Sequence, residues 1–219
     1  MFNIAIDGPS ASGKSTIAKV LAKALGFVHI DTGAMYRAVA YDCIKKNIDL
    51  DDAAACIEVA KNVKIELLEN GEIFLNGRNV THSIRSNRVS LAASKVSAIK
   101  EIREILVCMQ QEMAKSKGFV MDGRDITSVV LKDAEVKVFQ TADVKIRTQR
   151  RFFELVEKGH DVAYNDVYND LVQRDKQDTE RLESPLIKVD DAVEIDTTHL
   201  TIDESVALIM SLIKDRGLI

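Results

Sequence analysis

The sequence predicts a single α/β unit whose sheet is mostly parallel. Short, nearly continuous apolar runs alternate along the chain with longer amphipathic stretches, which is the pattern of strands and helices in such folds. The length of 219 residues suits one domain, or one domain that carries an insertion. Hydrophobic residues make up 46% of the chain and charged residues 29%, so the apolar content is sufficient for a packed core.

Five apolar runs are predicted to be strands that are covered on both faces, as parallel strands usually are. They span residues 2–7, 27–31, 118–122, 136–140 and 192–196. Several of these runs end on an aspartate, and the carboxyl ends of the strands form the ligand crevice in open α/β sheets. A strand-ending aspartate can equally cap the turn that follows, so both interpretations stay open at each position.

Three amphipathic stretches are predicted to be helices whose apolar faces join the core. The first spans residues 14–25 and is followed by Gly26, a typical C-cap residue. The second spans residues 97–117, where apolar side chains recur at helical spacing. The last begins at a capping box made of Thr201 and Glu204 and continues to Gly217.

Residues 63–80 interrupt this alternation and predict a small antiparallel insertion. Polar and apolar residues alternate there, and the dipeptides Asn70-Gly71 and Asn76-Gly77 favour the positive φ angles of two-residue hairpin turns. Helical stretches are predicted on either side, over residues 50–62 and 86–97. We therefore expect a β meander inserted into the α/β core.

Composition and charge argue against several classes of protein. A net charge of −4 disfavours a nonspecific binder of nucleic-acid polymers. No apolar run approaches the ~18–20 residues of a membrane helix, and the first residues lack the basic region of a signal peptide, so we expect a cytoplasmic protein without membrane attachment. The three cysteines have no CxxC spacing and are expected to be free thiols. The four histidines are isolated in sequence and are expected to lie on the surface or pack on strands.

A phosphate-binding loop follows the first predicted strand and opens the first predicted helix. The pattern G-x-x-x-x-G-K-[ST] is matched in full. Glycines let the backbone fold around phosphate oxygens, while loop N–H groups and the helix N-terminus supply positive charge. Lys14 is expected to reach the β- and γ-phosphates, Ser15 to bind Mg²⁺ and Thr16 to contact the α-phosphate. The predicted ATP-binding residues are Gly8, Pro9, Ser10, Ala11, Ser12, Gly13, Lys14, Ser15 and Thr16.

The loop identifies a nucleotide ligand, and the residues around it narrow the reaction. The N-K-x-D motif with which GTPases read their base has no match, and the acidic pair of motor ATPases is also lacking. Instead, the third predicted strand ends in Asp122-Gly123-Arg124-Asp125. This segment adds a cation and an acid to the crevice and suits a second, anionic substrate.

The second predicted strand leads into another candidate anion site. Asp31 is a candidate metal-shell or base group, and Thr32 with the N–H groups of the helix that begins at Gly33 can hold an anion. Arg37 lies one turn into that helix and can bind a phosphate through two N–H groups.

Two arginine clusters occur later in the chain, each on one face of a predicted helix. One contains Arg147, Arg150 and Arg151, and the other contains Arg174, Asp178 and Arg181. Such runs are usually solvated faces with i,i+4 ion pairs. The alternative is a mobile lid whose guanidiniums close over the transferring phosphoryl group and exclude water.

Taken together, these segments resemble the bacterial-type cytidylate kinases, a family of P-loop nucleoside monophosphate kinases. The resemblance covers essentially the whole chain. It rests on five segments: Ile6-Asp7-Gly8-Pro9-Ser10, Asp31-Thr32-Gly33-Ala34-Met35-Tyr36-Arg37, Asp122-Gly123-Arg124-Asp125, the stretch from Arg174 to Leu186, and Asp196-Thr197-Thr198. The hairpin insertion is also similar to that of the family. Thr32 departs from the usual serine but keeps the hydroxyl, and Lys176, Gln177 and Glu180 make the lid less rich in arginine.

The resemblance implies a role for each matching position. Thr32, Arg37 and Arg124 would hold the phosphate of CMP. The cytosine would be read by Ser94, Arg103, Asp125 and Arg181, and the ribose would be held by Arg174 and Asp178. Asp122 is counted with the CMP-binding residues. The catalytic cations would be Lys14, Arg124 and the lid residues Arg147 and Arg151.

The implied fold is a three-layer α/β P-loop kinase with a five-stranded parallel sheet, a small antiparallel insertion and a helical lid. It would comprise a core (about 1–40, 97–145 and 185–219), a monophosphate-binding region (about 41–96) and a lid (about 146–184). The implied reaction is ATP-Mg²⁺ with CMP or dCMP giving ADP and CDP or dCDP, carried out by a monomer. A kinase for another monophosphate, such as UMP, and a nucleotide-dependent switch remain alternatives.

Overall fold

The computed structural model describes residues 1–68 and 71–219, which form two β-sheets and a set of surrounding helices. The strands are β1 (Ile4–Asp7), β2 (Val28–Asp31), β3 (Ile65–Leu67), β4 (Ile73–Leu75), β5 (Arg78–Asn79), β6 (Phe119–Gly123), β7 (Val136–Thr141) and β8 (Val193–Asp196). The α-helices are α1 (Lys14–Leu25), α2 (Thr32–Lys45), α3 (Ala53–Asn62), α4 (Asn87–Val96), α5 (Lys100–Ala114), α6 (Val144–Glu157), α7 (Tyr164–Glu180) and α8 (Ile202–Asp215). A 3₁₀ turn (Ser83–Arg85) precedes α4, and a π-helical segment (Ile126–Val130) follows β6.

The main sheet has five parallel strands in the order β2-β6-β1-β7-β8. All five predicted strands are confirmed, with ends that shift by one or two residues. Phe2 and Phe27, placed in strands by the sequence, instead pack edge to face just before β1 and β2, with ring centroids 4.9 Å apart. The register aligns Asp31 with Asp122 and Asp7 with Gly123, so the strand ends meet at one edge of the sheet.

Helices cover both faces of this sheet and make three layers. On one face, α1 and α8 pack on the strands through a cluster that includes Ile6, Leu21 and Ile209. On the other face, Met121 and Ile126 belong to a second cluster with the end of α5. The capping box predicted for α8 is present, because Thr201 and Glu204 bond to each other's backbone N–H groups.

The predicted insertion is an antiparallel sheet in the order β3-β4-β5. Asn76 and Gly77 join β4 to β5 with φ angles of 51° and 76°, as the two-residue turn predicts. The other predicted turn, Asn70-Gly71, falls partly on residues 69–70, which lie outside the described residues. Ile73 and Leu75 pack with α2, α3 and α4 in a separate apolar cluster. The insertion is therefore fixed to the helices that flank it.

Two predicted helices are shorter in the structure, each because of the residue that precedes its first turn. The helix predicted over residues 50–62 begins at Ala53, since the Asp52 side chain accepts from the Ala55 N–H at 3.0 Å. The helix predicted over residues 97–117 begins at Lys100, because Ile99 has extended backbone angles, and it ends at Ala114.

The predicted lid consists of α6 and α7, which pack on each other through Leu155, Val167 and Leu171. Within the described residues, no helix is both long and apolar enough to cross a membrane. The cysteines are free thiols, with Cys43 and Cys56 buried and Cys108 exposed.

Candidate active site

A cavity of about 710 Å³ lies at the carboxyl ends of strands β2 and β6, next to the phosphate loop. Helices α2 and α4 and the lid helices α6 and α7 enclose it. Most of the predicted site residues line it. From the phosphate loop and α1 they are residues 10–16, and from the rest of the chain they are Thr32, Arg37, Ser94, Asp122, Arg124, Asp125, Arg151, Arg174, Asp178 and Arg181. Of the predicted residues, all of which are described, Gly8, Pro9, Arg103 and Arg147 do not line the cavity. The cavity thus joins the loop to the second anion site.

The phosphate loop is fixed by close backbone packing against β7. A Cβ atom on Gly8 would lie 1.9 Å from the Gln140 carbonyl oxygen, so only glycine fits there. Lys14 is buried, and its Nζ donates to the Pro9 carbonyl at 2.7 Å. Burial, with repulsion from Arg124, lowers the pKa of Lys14 to about 7. An anion in the loop would favour the charged form of this lysine.

The carbonyl oxygen of Ser12 is held from three sides. The Gln140 side-chain amide donates to it, as do Thr197 Oγ1 at 3.1 Å and Arg150 Nη1 at 3.2 Å. Arg150 Nη2 also donates to the Thr197 carbonyl at 2.6 Å. This clamp ties the loop to the lid and to the end of β8, and it gives a structural role to the Asp196-Thr197-Thr198 segment.

Ser15 and Asp122 place a hydroxyl and a carboxylate side by side below the loop. Ser15 Oγ donates to Asp122 Oδ2 at 2.6 Å, and His29 Nε2 lies 2.7 Å from Asp122 Oδ1. His29 was expected to lie on the surface or to pack on a strand, and it packs against β6 beside Asp122. It is close because β2 and β6 are neighbours in the sheet. The Asp122 carboxylate faces the phosphate loop, whereas the main-chain carbonyl of Asp122 accepts from Thr32 Oγ1 at 2.8 Å.

Asp31 caps α2 and holds Arg37. Its side chain accepts from the Ala34 N–H at 3.0 Å and from Arg37 Nη2 at 2.7 Å. Burial alone would raise the pKa of Asp31, but Arg37, Arg85 and His29 together hold it below its ordinary value. Asp31 caps α2 and also lines the cavity, so both interpretations left open for strand-ending aspartates apply to it.

Asp7 anchors the turn that follows β6. Its carboxylate is fully buried and accepts from the Ile126 N–H at 2.9 Å, the Thr127 N–H at 2.7 Å and Thr127 Oγ1 at 2.6 Å. Burial raises the pKa of Asp7 to about 6, against the lowering effect of these bonds. The turn just before these residues carries Arg124 and Asp125, so Asp7 helps to set their position.

Arg124 connects the phosphate loop to the lid. Its Nη2 donates to Ser10 Oγ at 2.6 Å and its Nε donates to Asp178 Oδ2 at 2.7 Å. Attraction to Arg124 and the neighbouring arginines outweighs the burial of Asp178 and lowers the pKa of that carboxyl. Arg124 thus lies between the two ends of the cavity.

A separate polar group lies at the far end of the cavity. The Arg103 guanidinium pairs with Asp125, donates to the Ser97 carbonyl at 3.0 Å and lies over the Tyr36 ring at 5.3 Å. Arg181 Nε donates to the Ser184 carbonyl at 2.7 Å. Within the described structure, Arg181 Nη2 and the Tyr36 hydroxyl are buried without a hydrogen-bond partner. These donors can bind the edge of a polar ring.

Positive charge converges between the two ends. Burial and repulsion from Arg124, Arg37 and Arg151 lower the pKa of Arg174 to about 10. All four of these arginines line the cavity. Such a region is suited to a polyanion, whose charge the cluster would neutralise.

The three arginines of α6 play different parts. Arg147 is buried and donates to the Ala142 carbonyl at 2.8 Å and the Ser10 carbonyl at 3.2 Å, and it pairs with Asp175. Asp175 also accepts from the Ser10 N–H at 3.2 Å. Arg150 and Arg151 line the cavity instead. Arg147 therefore connects the lid helices to the phosphate loop.

Several cavity residues were not singled out as site residues by the sequence. They include Tyr36, Arg85, Arg150 and Thr197. Tyr36 and Thr197 lie inside segments that carry the resemblance, and Arg150 lies on the arginine face already noted, so a signal was present for these three. Arg85 sits next to the insertion and had no such signal.

Comparison with known proteins agrees with this geometry. A sequence profile described as cytidylate kinase matches residues 4–215. The chain belongs to the cytidylate kinase family. A cytidylate kinase of Bacillus cereus is 49% identical over 215 residues, which cover 96% of this chain and 95% of the relative. A cytidylate kinase of Caldicellulosiruptor saccharolyticus is 48% identical over 213 residues, which cover 96% and 94%.

A solved structure of an uncharacterized protein from Eubacterium ventriosum shares the fold. The TM-score is 0.55 at 16% sequence identity, and the match covers 98% of this chain and 99% of the other. At this level of identity the likeness concerns the fold alone.

Proposed function

We propose that this cytidylate kinase family member transfers the γ-phosphoryl group of ATP to CMP, and also to dCMP, giving ADP and CDP or dCDP. The observation that carries the proposal is one cavity that joins a complete phosphate loop to a polar, cationic pocket beyond Arg124.

The acceptor in this reaction is a phosphate oxygen of CMP. A phosphate monoester has its second pKa near about 6, so it is largely a dianion at neutral pH and needs no general base. One of its oxygens forms a bond to the γ-phosphorus of ATP, while the bond from that phosphorus to the bridging β–γ oxygen breaks and ADP leaves. Lys14, Arg124, Arg151 and Arg174 would align the two polyanions and neutralise their charge.

The residues beneath the loop fit a magnesium ion. Mg²⁺ prefers oxygen ligands and is usually held by one or two protein groups together with substrate phosphates and water. The Ser15 hydroxyl and the Asp122 carboxylate supply such oxygens 2.6 Å apart, and both line the cavity. When bound there, the ion would neutralise phosphate charge. His29 would keep the Asp122 carboxylate in place.

Cytosine recognition is proposed for the group at the far end of the cavity. The ring presents an N4 amine beside the acceptors N3 and O2, which an acid and a guanidinium together can satisfy. Asp125 would accept from N4, and the free Nη2 of Arg181 would donate to a ring acceptor. Arg103 lies behind Asp125 and would hold its carboxylate.

The remaining cavity residues divide between sugar, phosphate and base. Arg174 and Asp178 are proposed to hold the ribose, and Thr32, Arg37 and Arg124 the CMP phosphate. Ser94 lines the pocket, and its carbonyl accepts from the Gln177 amide at 3.2 Å, so α7 is held close to the base site. Lid closure would exclude water and suppress hydrolysis of ATP.

Phosphorus NMR of the reaction mixture tests this proposal. With Mg²⁺, ATP and CMP present, we expect the γ-phosphate signal to be replaced by the β-phosphate signal of CDP, with one ADP formed for each CDP. Without CMP, ADP release should be slower by orders of magnitude. Release of inorganic phosphate at the same rate with and without CMP would refute phosphoryl transfer to the nucleotide.

A further inference from the structure

Arg85 is held rigidly at the junction between the insertion and α4. It ends the 3₁₀ turn, where its N–H donates to the His82 carbonyl at 3.1 Å. The preceding residue, Ile84, is fully buried in the apolar cluster that α2 and α4 share. The following residue, Ser86, caps α4 by accepting from the Val89 N–H at 3.3 Å. Because both neighbours are fixed, the backbone of Arg85 has a defined position.

The side chain of Arg85 reaches the end of the cavity near the start of α2, where the CMP phosphate is proposed to bind. It is half-buried and lines the cavity together with Asp31, Gly33 and Arg37, at the start of α2. Its charge is also among those that hold the pKa of Asp31 below the ordinary value. The guanidinium is therefore within electrostatic range of the Asp31–Arg37 pair.

Arg85 differs from Arg37 and Arg124 in its partners. Arg37 pairs with Asp31, and Arg124 pairs with Asp178. For Arg85, the described part of the chain offers no carboxylate within 4.0 Å. Two guanidiniums thus face one carboxylate at the start of α2, which leaves a net positive charge there. That charge suits a phosphate monoester dianion.

We propose that Arg85 is a third guanidinium ligand of the acceptor phosphate, beside Arg37 and Arg124. The region of the insertion would then contribute directly to the site, by carrying one cation to the CMP phosphate. This inference rests on the proposed function, since it assigns a further residue to the phosphate of the same acceptor.

Separate binding of CMP and of cytidine tests the assignment, because cytidine lacks the phosphate. In Arg85→Ala we expect the Kd of CMP to rise about 10- to 100-fold, the range for one hydrogen bond to a charged group. The inhibition constant of cytidine and the KM of ATP should stay unchanged. Arg85→Lys should recover part of the CMP affinity, since lysine supplies charge but not the two-pronged geometry. The matched control is Arg88→Ala, which removes an exposed arginine one turn further on in α4.

Two results would overturn the assignment. The first is a CMP affinity in Arg85→Ala equal to that of Arg88→Ala. The second is an equal loss for CMP and cytidine, which would mean that the base site had been disturbed instead. Thermal unfolding of each variant reports whether the fold is retained. Wild-type protein that neither binds nor phosphorylates CMP would refute the proposed function itself, and this outcome is distinct from both.

Discussion

The cavity has a donor end at the phosphate loop, where ATP is proposed to bind, and an acceptor end beyond Arg124, where CMP is proposed to bind. The two ends hold their arginines in different ways. At the donor end, Arg147 and Arg150 bond to several backbone carbonyls, including those of Ser10 and Ser12, although Arg147 also pairs with Asp175. At the acceptor end, Arg37, Arg103 and Arg124 each pair with a carboxylate: Asp31, Asp125 and Asp178.

This difference separates a fixed frame from an exchangeable set of contacts. A backbone carbonyl stays part of the loop whether or not a nucleotide is bound, so its bonds keep the loop in shape. A carboxylate competes with a substrate phosphate for the same guanidinium, and its own oxygens can accept from the substrate. We therefore expect changes at the donor end to affect ATP, and changes at the acceptor end to affect CMP.

The largest effect is expected for Lys14→Ala. Lys14 is the cation of the phosphate loop, and its loss should lower kcat about 10³-fold or more. Burial disfavours its charge, as the low pKa shows, so the variant should remain folded. Turnover measured by ADP release checks the first point, and thermal unfolding checks the second. Lys23→Ala, an exposed lysine of the same helix, is the control. Turnover near the wild-type value would contradict the donor-end assignment.

Asp125→Ala should mainly affect CMP. We expect the KM of CMP to rise about 100-fold, because a charged contact to the base is lost and Arg103 is left without its partner. Removing one partner of a buried ion pair leaves the other charge uncompensated and costs about 3–5 kcal/mol. The free energy of unfolding should therefore also fall. The KM of ATP should change little. Steady-state kinetics with each substrate varied in turn measures this selectivity.

A control for Asp125→Ala is Asp191→Asn, which breaks the ion pair with Lys137 outside the cavity. Because this pair lies outside the cavity, neither KM should change. Equal increases in both KM values for Asp125→Ala would remove Asp125 from base recognition.

ATP binding should take up a proton through Lys14. Its pKa is about 7 in the free protein, and phosphate charge beside the amine should raise the pKa toward its ordinary value. At pH 8 the free lysine is mostly neutral, so binding takes up close to one proton and ATP affinity falls as pH rises above 7. Calorimetry in buffers of different ionisation enthalpy measures the uptake. If Lys14→Ala takes up the same number of protons, another group is responsible.

The smallest effect is expected for Thr197→Val, which removes one of the three donors to the Ser12 carbonyl. Gln140 and Arg150 remain, so the KM of ATP should rise only about 2- to 10-fold. The KM of CMP should stay the same. Thr198→Val removes a hydroxyl that donates to Asp196 and accepts from the Asp143 N–H at 2.9 Å; neither partner is the Ser12 carbonyl, so the variant should leave both constants unchanged. If Thr197→Val raised the KM of CMP more than the KM of ATP, the assignment of the Ser12 clamp to the ATP site would be contradicted.

The donor end could be predicted from the residues alone, whereas the roles at the acceptor end came from the resemblance to a family, and the reason is physical. The phosphate loop is contiguous, so its residue types and spacing carry the whole signal. The acceptor end depends on contacts between distant segments, such as Arg124 with Asp178 and Arg103 with Asp125. Sheet order and helix packing create these contacts, and neither can be read from local spacing.

Arg85 and Asp7 show the same limit. Arg85 enters the cavity only because Ile84 is buried between helices, and Asp7 acts by bonding to Ile126 and Thr127, more than a hundred residues away. The five strands and the insertion were predictable because their patterns are local. Helix ends were less so, since they depend on single caps such as Asp52.

The most direct test of this account is the value of kcat/KM for CMP, dCMP, UMP, AMP and dTMP at saturating ATP and Mg²⁺. An acid and a guanidinium at the base site are matched to cytosine, so we expect CMP and dCMP to exceed the other three by at least about 10-fold. Comparable values for AMP or UMP would contradict the account, because they would show that the acceptor end does not read the cytosine.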